Sequence, residues 1–483
     1  MMSPPATDVK ATLEQLLQPL RETATETLRM LKHLGGRRDA FSLDLARDVG
    51  TATREAQAFA TAVQDKTTTL YRATPRAAKL AQAGAGLLGR HRWLRLAAAA
   101  RGDLALREED HRDLARRTTT MAATLRGGIA KLGQLASCRP DLIGPIWASE
   151  LARLQDDVPP VDAALIRARI EAELGKPISE LFAAFDDVPL AAASLAQVHA
   201  AFLHDGTAVV VKVQVPGIED VIAADIAALR TIASALGEVP GIDLLTLTEE
   251  LSRALATELD YLAEAEALWT FGGHGVLVPR PIGDLSTARV LTMTHIDGER
   301  LIPALEGMEP EQRDPLLGEL VGEIAAQILV RGHVHADPHP GNFLVTPEGK
   351  LAMLDFGCTL ELAPAERTAY ARLVLAIAGA NQEAAAKELA NLGFTADAPE
   401  QLVEMTAALI GAMRPGTAVS ELDWEAAFAS QMAQAKQLRG LVIPRLFVLL
   451  GRVLATIAGL LATYKPKIQI HPLIARHLAA AIS

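Results

Sequence analysis

Aromatic residues are scarce in this chain, 4% of 483 residues. Its apolar content is therefore mainly Ala, Leu, Val and Ile, a composition that leans towards helix. Cysteine is scarcer still. Cys138 and Cys358 are the only two, with no CxxC pair, which argues against a disulfide framework or a zinc site and fits a reducing cytoplasm. Basic charge does not prevail: 47 Lys and Arg stand against 58 Asp and Glu, a net charge of −11. That excludes the global field of a nucleic-acid binder. The opening residues, MMSPPATDVK, have no basic cluster and no apolar run, so no signal peptide is expected. Long uncharged apolar runs are also lacking. The best candidate, Leu441–Tyr464, carries Pro444, Arg445 and Arg452. Each arginine costs roughly 2.5 kcal/mol or more at a membrane centre, so a buried amphipathic helix is expected there, in a cytoplasmic protein with at most peripheral membrane contact.

Half the residues are hydrophobic and 22% are charged, ample for a packed core rather than a disordered chain. At ~100–200 residues per domain, two to four domains are expected. Residues 7–72 show helical periodicity. Residues 72–101 carry Arg72, Arg76, Lys79, Arg90, Arg92, Arg95 and Arg101 without one acid, with Leu87, Leu88, Trp93, Leu94 and Leu96 interleaved. Such a stretch either lies on an anionic membrane surface or docks on the acidic remainder of the chain. Residues 108–180 read as helices. The period then changes. Two apolar runs, Ser194–Leu203 and Thr207–Val215, are joined by His204-Asp205-Gly206, a hairpin signal. Helical patterns return after Gly217 to about Leu236, and a single helix is expected from about Thr246 to Trp269. Short strand-like runs follow at Val276–Val278 and Ala288–His295. From Pro310 the chain is almost wholly helical, broken by Val334–Phe356.

The strongest chemical signal is His335-Ala-Asp-Pro-His-Pro-Gly-Asn342, followed by Leu351-Ala-Met-Leu-Asp-Phe-Gly357. Asp337 and Asn342 share one short loop, and Asp355 follows an apolar run and precedes Phe356-Gly357. Phosphoryl transfer needs such a set. One carboxylate, Asp337, orients the acceptor oxygen. Asn342 and Asp355 supply hard oxygen ligands for Mg²⁺. Upstream, Lys212 sits in the apolar run Val209–Val215, where a lysine needs a negative partner. Glu258, Asp260, Glu264 and Glu266 offer carboxylates. On one continuous helix, Glu258 and Asp260 point apart while Asp260 and Glu264 share a face, so that helix would serve Lys212 and a second cation together. No GxGxxG precedes Lys212. Ala191-Ala-Ala-Ser194 stands in its place, and alanine restricts the loop where glycine would let backbone approach phosphate. Lys131 and Gln134, three apart, share a face of a predicted helix, and Gly133 between them permits close packing. Cys358 reads as a small buried side chain.

Together these residues resemble the AarF/UbiB family of atypical kinases. Lys131-Leu-Gly-Gln134 matches its KxGQ motif, Ala191–Ser194 its alanine-rich loop, Glu258-Leu-Asp260 its ExD motif, and HADPHPGN with DFG its catalytic loop and metal-binding turn. The run Leu446–Leu461 is similar to its C-terminal helix. The resemblance covers roughly residues 110–470. It implies an α+β, mostly helical, two-lobed protein-kinase-like fold with an N-terminal helical extension. The expected division is 1–105 helical, 106–180 the KxGQ extension, 181–297 the N-lobe and 298–483 the helical C-lobe. It implies that Lys212 contacts ATP phosphates and pairs with Glu264, that Asp337 is the catalytic-loop aspartate, and that Asn342 and Asp355 bind Mg²⁺. The KxGQ helix is expected over the acceptor site, with Lys131 paired to Glu258. ATP binding and hydrolysis linked to isoprenoid-quinone or other lipid metabolism follow as expectations. Two alternatives stay open: an ATP-switched, lipid-linked scaffold, and a small-molecule phosphotransferase, which leaves KxGQ and the alanine loop without a role.

Overall fold

The structure, a computed structural model, describes residues 106–125, 128–137, 143–154, 160–236, 244–410, 418–421, 440 and 442–482, with scattered residues between 86 and 98. The helical reading of residues 7–72 and most of the basic stretch lie outside the described residues. In chain order the elements are α1 (Glu108–Leu125), α2 (Gly128–Ser137), α3 (Pro145–Leu151), α4 (Ala163–Leu174), α5 (Ile178–Leu181), β1 (Ala184–Ala192), β2 (Ala196–Phe202), β3 (Ala208–Gln214), α6 (Ile218–Leu236), α7 (Leu244–Glu258), α8 (Tyr261–Phe271), β4 (Val290–Thr294) and β5 (Glu299–Arg300). There follow α9 (Leu301–Gly307), α10 (Pro310–Ala326), β6 (His333–His335), β7 (Phe343–Val345), β8 (Leu351–Met353), β9 (Thr359–Glu361), α11 (Pro364–Ala378), α12 (Gln382–Asn391), α13 (Pro399–Ile410), α14 (Arg445–Tyr464) and α15 (Ile470–Ile482). Two compact units divide the chain: residues 1–169, 189–198 and 214–256 form one, and 170–188, 199–213 and 257–483 form the other.

In the first unit, α1, α2 and α3 pack on one another. Acidic residues Glu108, Glu109 and Asp110 open α1, where they complement the positive end of the helix dipole. Gly133 is what lets α2 come close: a Cβ there would stand 2.4 Å from Leu154 Cδ1. Gln134 then donates from Nε2 to the Leu154 carbonyl at 3.1 Å, satisfying an oxygen just past the end of α3. The described part of the basic stretch docks on protein. Leu94 and Ala98 are buried, Arg90 pairs with Asp113 of α1 at 2.9 Å, and its guanidinium lies over Trp93, 4.6 Å from the ring centroid.

The strands β1 to β4 form one sheet in the order β1-β2-β3-β4. The expected hairpin is present as β2 and β3. Its turn closes through Leu203 N–H to Thr207 O at 2.9 Å and Thr207 N–H to the Asp205 carboxylate at 2.8 Å, with Gly206 at φ 87°. The edge strand β1 was not expected, because AFDDVPLAA holds two aspartates and a proline, residues depleted from strands. In β3, Val209, Val211 and Val213 are fully buried and Val210 nearly so, the near-continuous apolar run of a strand covered on both faces. β3 pairs antiparallel with β4, Lys212 opposite Leu291.

One expected helix is in fact two. The run from Thr246 to Trp269 breaks after Glu258, and α8 starts afresh at Tyr261 with Asp260 as its N-cap. The Asp260 carboxylate accepts from Leu262 N–H at 3.1 Å. The face shared by Asp260 and Glu264 therefore does not exist, since Asp260 lies outside the helix and its oxygen is spent on the cap. The cause is local: an N-cap aspartate satisfies an orphan N–H that a continuous helix would not leave open.

In the second unit α10 ends in a π-helical turn, Gln327–Arg331, and the chain reverses at Gly332 into β6. Gly332 has φ 76°, and a Cβ there would meet Leu362 O at 2.8 Å; glycine alone fits. β7 and β8 pair antiparallel with Phe343 opposite Met353, while β6 pairs with β9. α15 packs against α10 and α11, and a core of Leu373, Leu389, Phe394, Leu402 and Val403 ties α11, α12 and α13. Leu450, Val453, Ile457 and Leu461 of α14 are buried, the amphipathic burial expected of it. Among the described residues no helix is long and apolar enough to cross a membrane.

Candidate active site

Three short elements of the second unit, β3, α8 and the turn after β8, converge on one set of charges. β3 presents Lys212, a central strand position rather than an edge. α8 presents Glu264, buried at 3% side-chain exposure. The Lys212 ammonium donates to both Glu264 oxygens, at 2.8 and 2.7 Å, and lies 3.7 Å from the Asp355 carboxylate. It also sits 5.1 Å from the centroid of the buried Tyr261 ring. Burial by itself pulls the Lys212 ammonium down, but Asp355 and Glu264 beside it more than offset this and hold it above its ordinary value. Burial likewise pushes the Glu264 carboxyl up, and the Lys212 charge opposes it. The Phe356 backbone N–H opposes it as well. The turn bearing Asp355 thus lies beside the same Lys212–Glu264 pair.

A file of rings fixes that turn. Phe356 packs against Phe271 at the end of α8, centroids 4.8 Å apart, and edge-on against His335 at 5.0 Å. His335 is buried, and its Nε2 meets the Asp355 backbone carbonyl. Its backbone N–H donates to Gln327 Oε1 at 3.0 Å, so the π-helical turn is where α10 reaches the catalytic loop. Burial holds the imidazole below its ordinary value, the neutral form suited to bonding a carbonyl from an N–H.

The loop Asp337–Asn342 is closed on itself. Asn342 donates from Nδ2 to Asp337 O at 3.1 Å, and Asn342 O accepts from Leu354 N–H at 2.9 Å. With its amide nitrogen so committed, Asn342 presents Oδ1 as its remaining donor atom towards a cation. The Asp355 carboxylate, half exposed, accepts from Gly357 N–H at 3.0 Å and retains oxygen lone pairs. One amide oxygen and one carboxylate are the hard, sparse set that suits a cation completed by phosphates and water. No larger cluster of His, Cys, Asp and Glu that could hold a metal occurs among the described residues.

The structure brings together Lys212, Glu264 and Asp355, and joins Asn342 to Asp337. It places Glu258 at the end of α7 and Asp260 at the α8 cap. Lys131 and Gln134 lie on α2 in the first unit. Ala191 and Ala192 end β1 there, and Ala193 and Ser194 make the turn into β2, with Ala193 N–H donating to Ala196 O at 2.8 Å. The alanine segment is thus the turn between β1 and β2. Cys358 is exposed, not buried, because β9 begins beyond it at the surface. Sequence reasoning gave no role to Tyr261, Phe271 or His335. His335 carried a usable signal, its place two residues before Asp337; the other two had none. Arg452, read only as an argument against a membrane span, pairs with Asp337.

The model of the ABC1 atypical kinase-like domain matches residues 153–389. An aarF domain-containing protein kinase of Arabidopsis thaliana, chloroplastic, is 40% identical over 274 residues, covering 55% of this chain and 38% of the relative. AarF domain-containing protein kinase 1 of Gallus gallus is 34% identical over 305 residues, covering 60% and 58%. The chain thus spans between about a third and three fifths of the length of these relatives. A solved structure, the Rv3197–erythromycin complex from Mycobacterium tuberculosis, matches with a TM-score of 0.57 at 23% identity, covering 78% of this chain and 98% of that one. At that identity it carries the fold alone, a kinase-like α+β fold that is mostly helical. The chain thus carries an ABC1 atypical kinase-like domain of the AarF/UbiB type over residues 153–389.

Proposed function

We propose that this protein binds Mg-ATP and transfers its γ-phosphoryl group, to water or to an acceptor. The observation that carries the reading is the joined set Lys212–Glu264–Asp355. A lysine held charged between two carboxylates is aimed to accept phosphate oxygens, which would share it with Asp355. Asn342 Oδ1 and Asp355 would hold Mg²⁺, which supplies charge neutralisation on the phosphates. Asp337 would orient the attacking oxygen and take up its proton. The alanine turn Ala191–Ser194 would lie over the nucleotide with less backbone freedom than glycine allows. Lys131 and Gln134 would gate the acceptor side, with Lys131 paired to Glu258.

The family resemblance further supports service in isoprenoid-quinone or other lipid metabolism, at an anionic membrane surface and with no nucleic-acid partner. The test is Mg²⁺-dependent ATP turnover by the purified protein, with and without anionic liposomes. Turnover is expected in the wild type, lost in Asp355→Asn and altered in Lys131→Ala. Turnover undiminished in Asp355→Asn would overturn the assignment. Nucleotide binding without turnover would favour an ATP-switched scaffold, and an unchanged Lys131→Ala would remove the gate.

A further inference from the structure

Asp337 does not face solvent alone. Its carboxylate is paired with the guanidinium of Arg452, from a helix more than a hundred residues downstream. Both side chains are partly covered, 39% exposed for Asp337 and 25% for Arg452. Arg452 is the one charged residue of α14 between Leu446 and Tyr464. Its neighbours Leu450 and Val453 are buried in the second unit, so the helix frame fixes where the guanidinium reaches. The loop from Asp337 to Asn342, DPHPGN, holds no lysine or arginine of its own. Another guanidinium at this loop, on Arg300, donates to the Gly341 backbone carbonyl. The cation at the acceptor carboxylate therefore comes from α14.

This has a chemical consequence, which rests on the phosphoryl-transfer reading above. An acceptor hydroxyl must reach the Asp337 carboxylate to be oriented and to give up its proton. A charge-assisted pair already takes that oxygen. A water molecule is small enough to share the carboxylate with the guanidinium; a side-chain hydroxyl on a peptide brings a whole chain with it. We propose that Arg452 is the specificity-determining residue of the acceptor site, acting through Asp337 to direct the phosphoryl group to water and away from neutral hydroxyl acceptors. With Arg452 in place, the bond between the γ-phosphorus and the bridging oxygen breaks and ADP leaves with the electron pair. Water oxygen bonds to phosphorus, and its proton passes by way of Asp337 to solvent. Without Arg452, a serine or threonine oxygen takes the place of water, the same proton goes to Asp337, and a phosphoester forms.

The experiment measures partition, not rate alone. The full chain is given γ-labelled ATP and Mg²⁺, with a neutral serine-containing peptide, and label is counted in free phosphate, in the peptide and in the protein itself. Arg452→Gln is expected to raise the ratio of ester-bound to free phosphate roughly tenfold or more, the scale of one hydrogen bond to a charged group. Arg452→Lys keeps the charge but not the planar guanidinium and is expected to give a smaller gain. It also serves if Arg452→Gln does not fold. A loss confined to packing would lower both products together and leave the ratio fixed. A ratio unchanged in a folded variant that still binds nucleotide overturns this proposal and leaves the ATP reading standing. Absence of nucleotide binding in the wild type as well would sink both.

Discussion

The two halves of the site are built differently. On the side proposed to hold the phosphate donor, Glu264 is deeply buried, Lys212 is mostly covered, and two hydrogen bonds join them. Each group there is held by a neighbour from a different element: strand β3, helix α8 and the turn after β8. On the acceptor side Asp337 is far more open, and its carboxylate is engaged by a single residue from a late helix. The donor half thus has the parts any phosphoryl transfer needs, and it is rigid. The proposed acceptor half is held by one partly exposed ion pair. Such pairs contribute little to stability, so the contact is better understood as control of access than as a fold-stabilising bond.

The comparison is broken most severely from the donor side. Lys212→Met leaves Glu264 buried without its cation, which costs roughly 3–5 kcal/mol for a one-sided break of a buried pair. Chemical denaturation is expected to show a loss of that order together with the loss of ATP turnover. A variant of wild-type stability would mean that Glu264 is satisfied by other groups and the donor half is not the rigid one.

A smaller effect is expected at the joint between the halves, His335. Burial holds its imidazole below the ordinary value of 6.5, so the unfolded chain takes up the proton more readily than the folded one. The stability that comes from keeping His335 neutral is whole above about pH 6.5 and is lost as the pH falls from there towards the folded value. Melting temperatures followed from about pH 7 down to about pH 5 should decline, and the decline should flatten in His335→Gln. An identical slope in that variant would assign the acid sensitivity to other groups.

The smallest effect sharpens the correction at the helix break. Asp260→Ala removes the cap of α8 and is expected to cost about 1 kcal/mol, with Asp260→Ser recovering most of it. Because α8 carries Glu264, a fall in nucleotide affinity should accompany the Ala change and be relieved by Ser. If Ser fails where Asp succeeds, the Asp260 charge is needed for more than the cap.

The hairpin β2–β3, the helix after Gly217, the break at 334–356 and the helical remainder were legible from period and turn chemistry. Strand β1 was not, because its pairing, not its composition, makes it a strand. The α7–α8 break was hidden for a related reason: helical spacing continues across Glu258-Leu259-Asp260, and only backbone geometry separates a cap from a helical carboxylate. That Lys212 needs a negative partner was legible, because a lysine within an apolar strand must find one; that the partner is Glu264 rather than Glu258, Asp260 or Glu266 was implied by the family resemblance alone.

By itself the sequence determined which residues to look for on both sides: residue types and spacing within short segments single out Lys212, Asp337, Asn342 and the Asp355 turn, because loop chemistry is local. Only the tertiary structure decided what stands against those groups. Phe271 on Phe356, Tyr261 under Lys212 and Arg452 on Asp337 are contacts between elements far apart in the chain, and their partners follow from how helices and strands pack rather than from any motif.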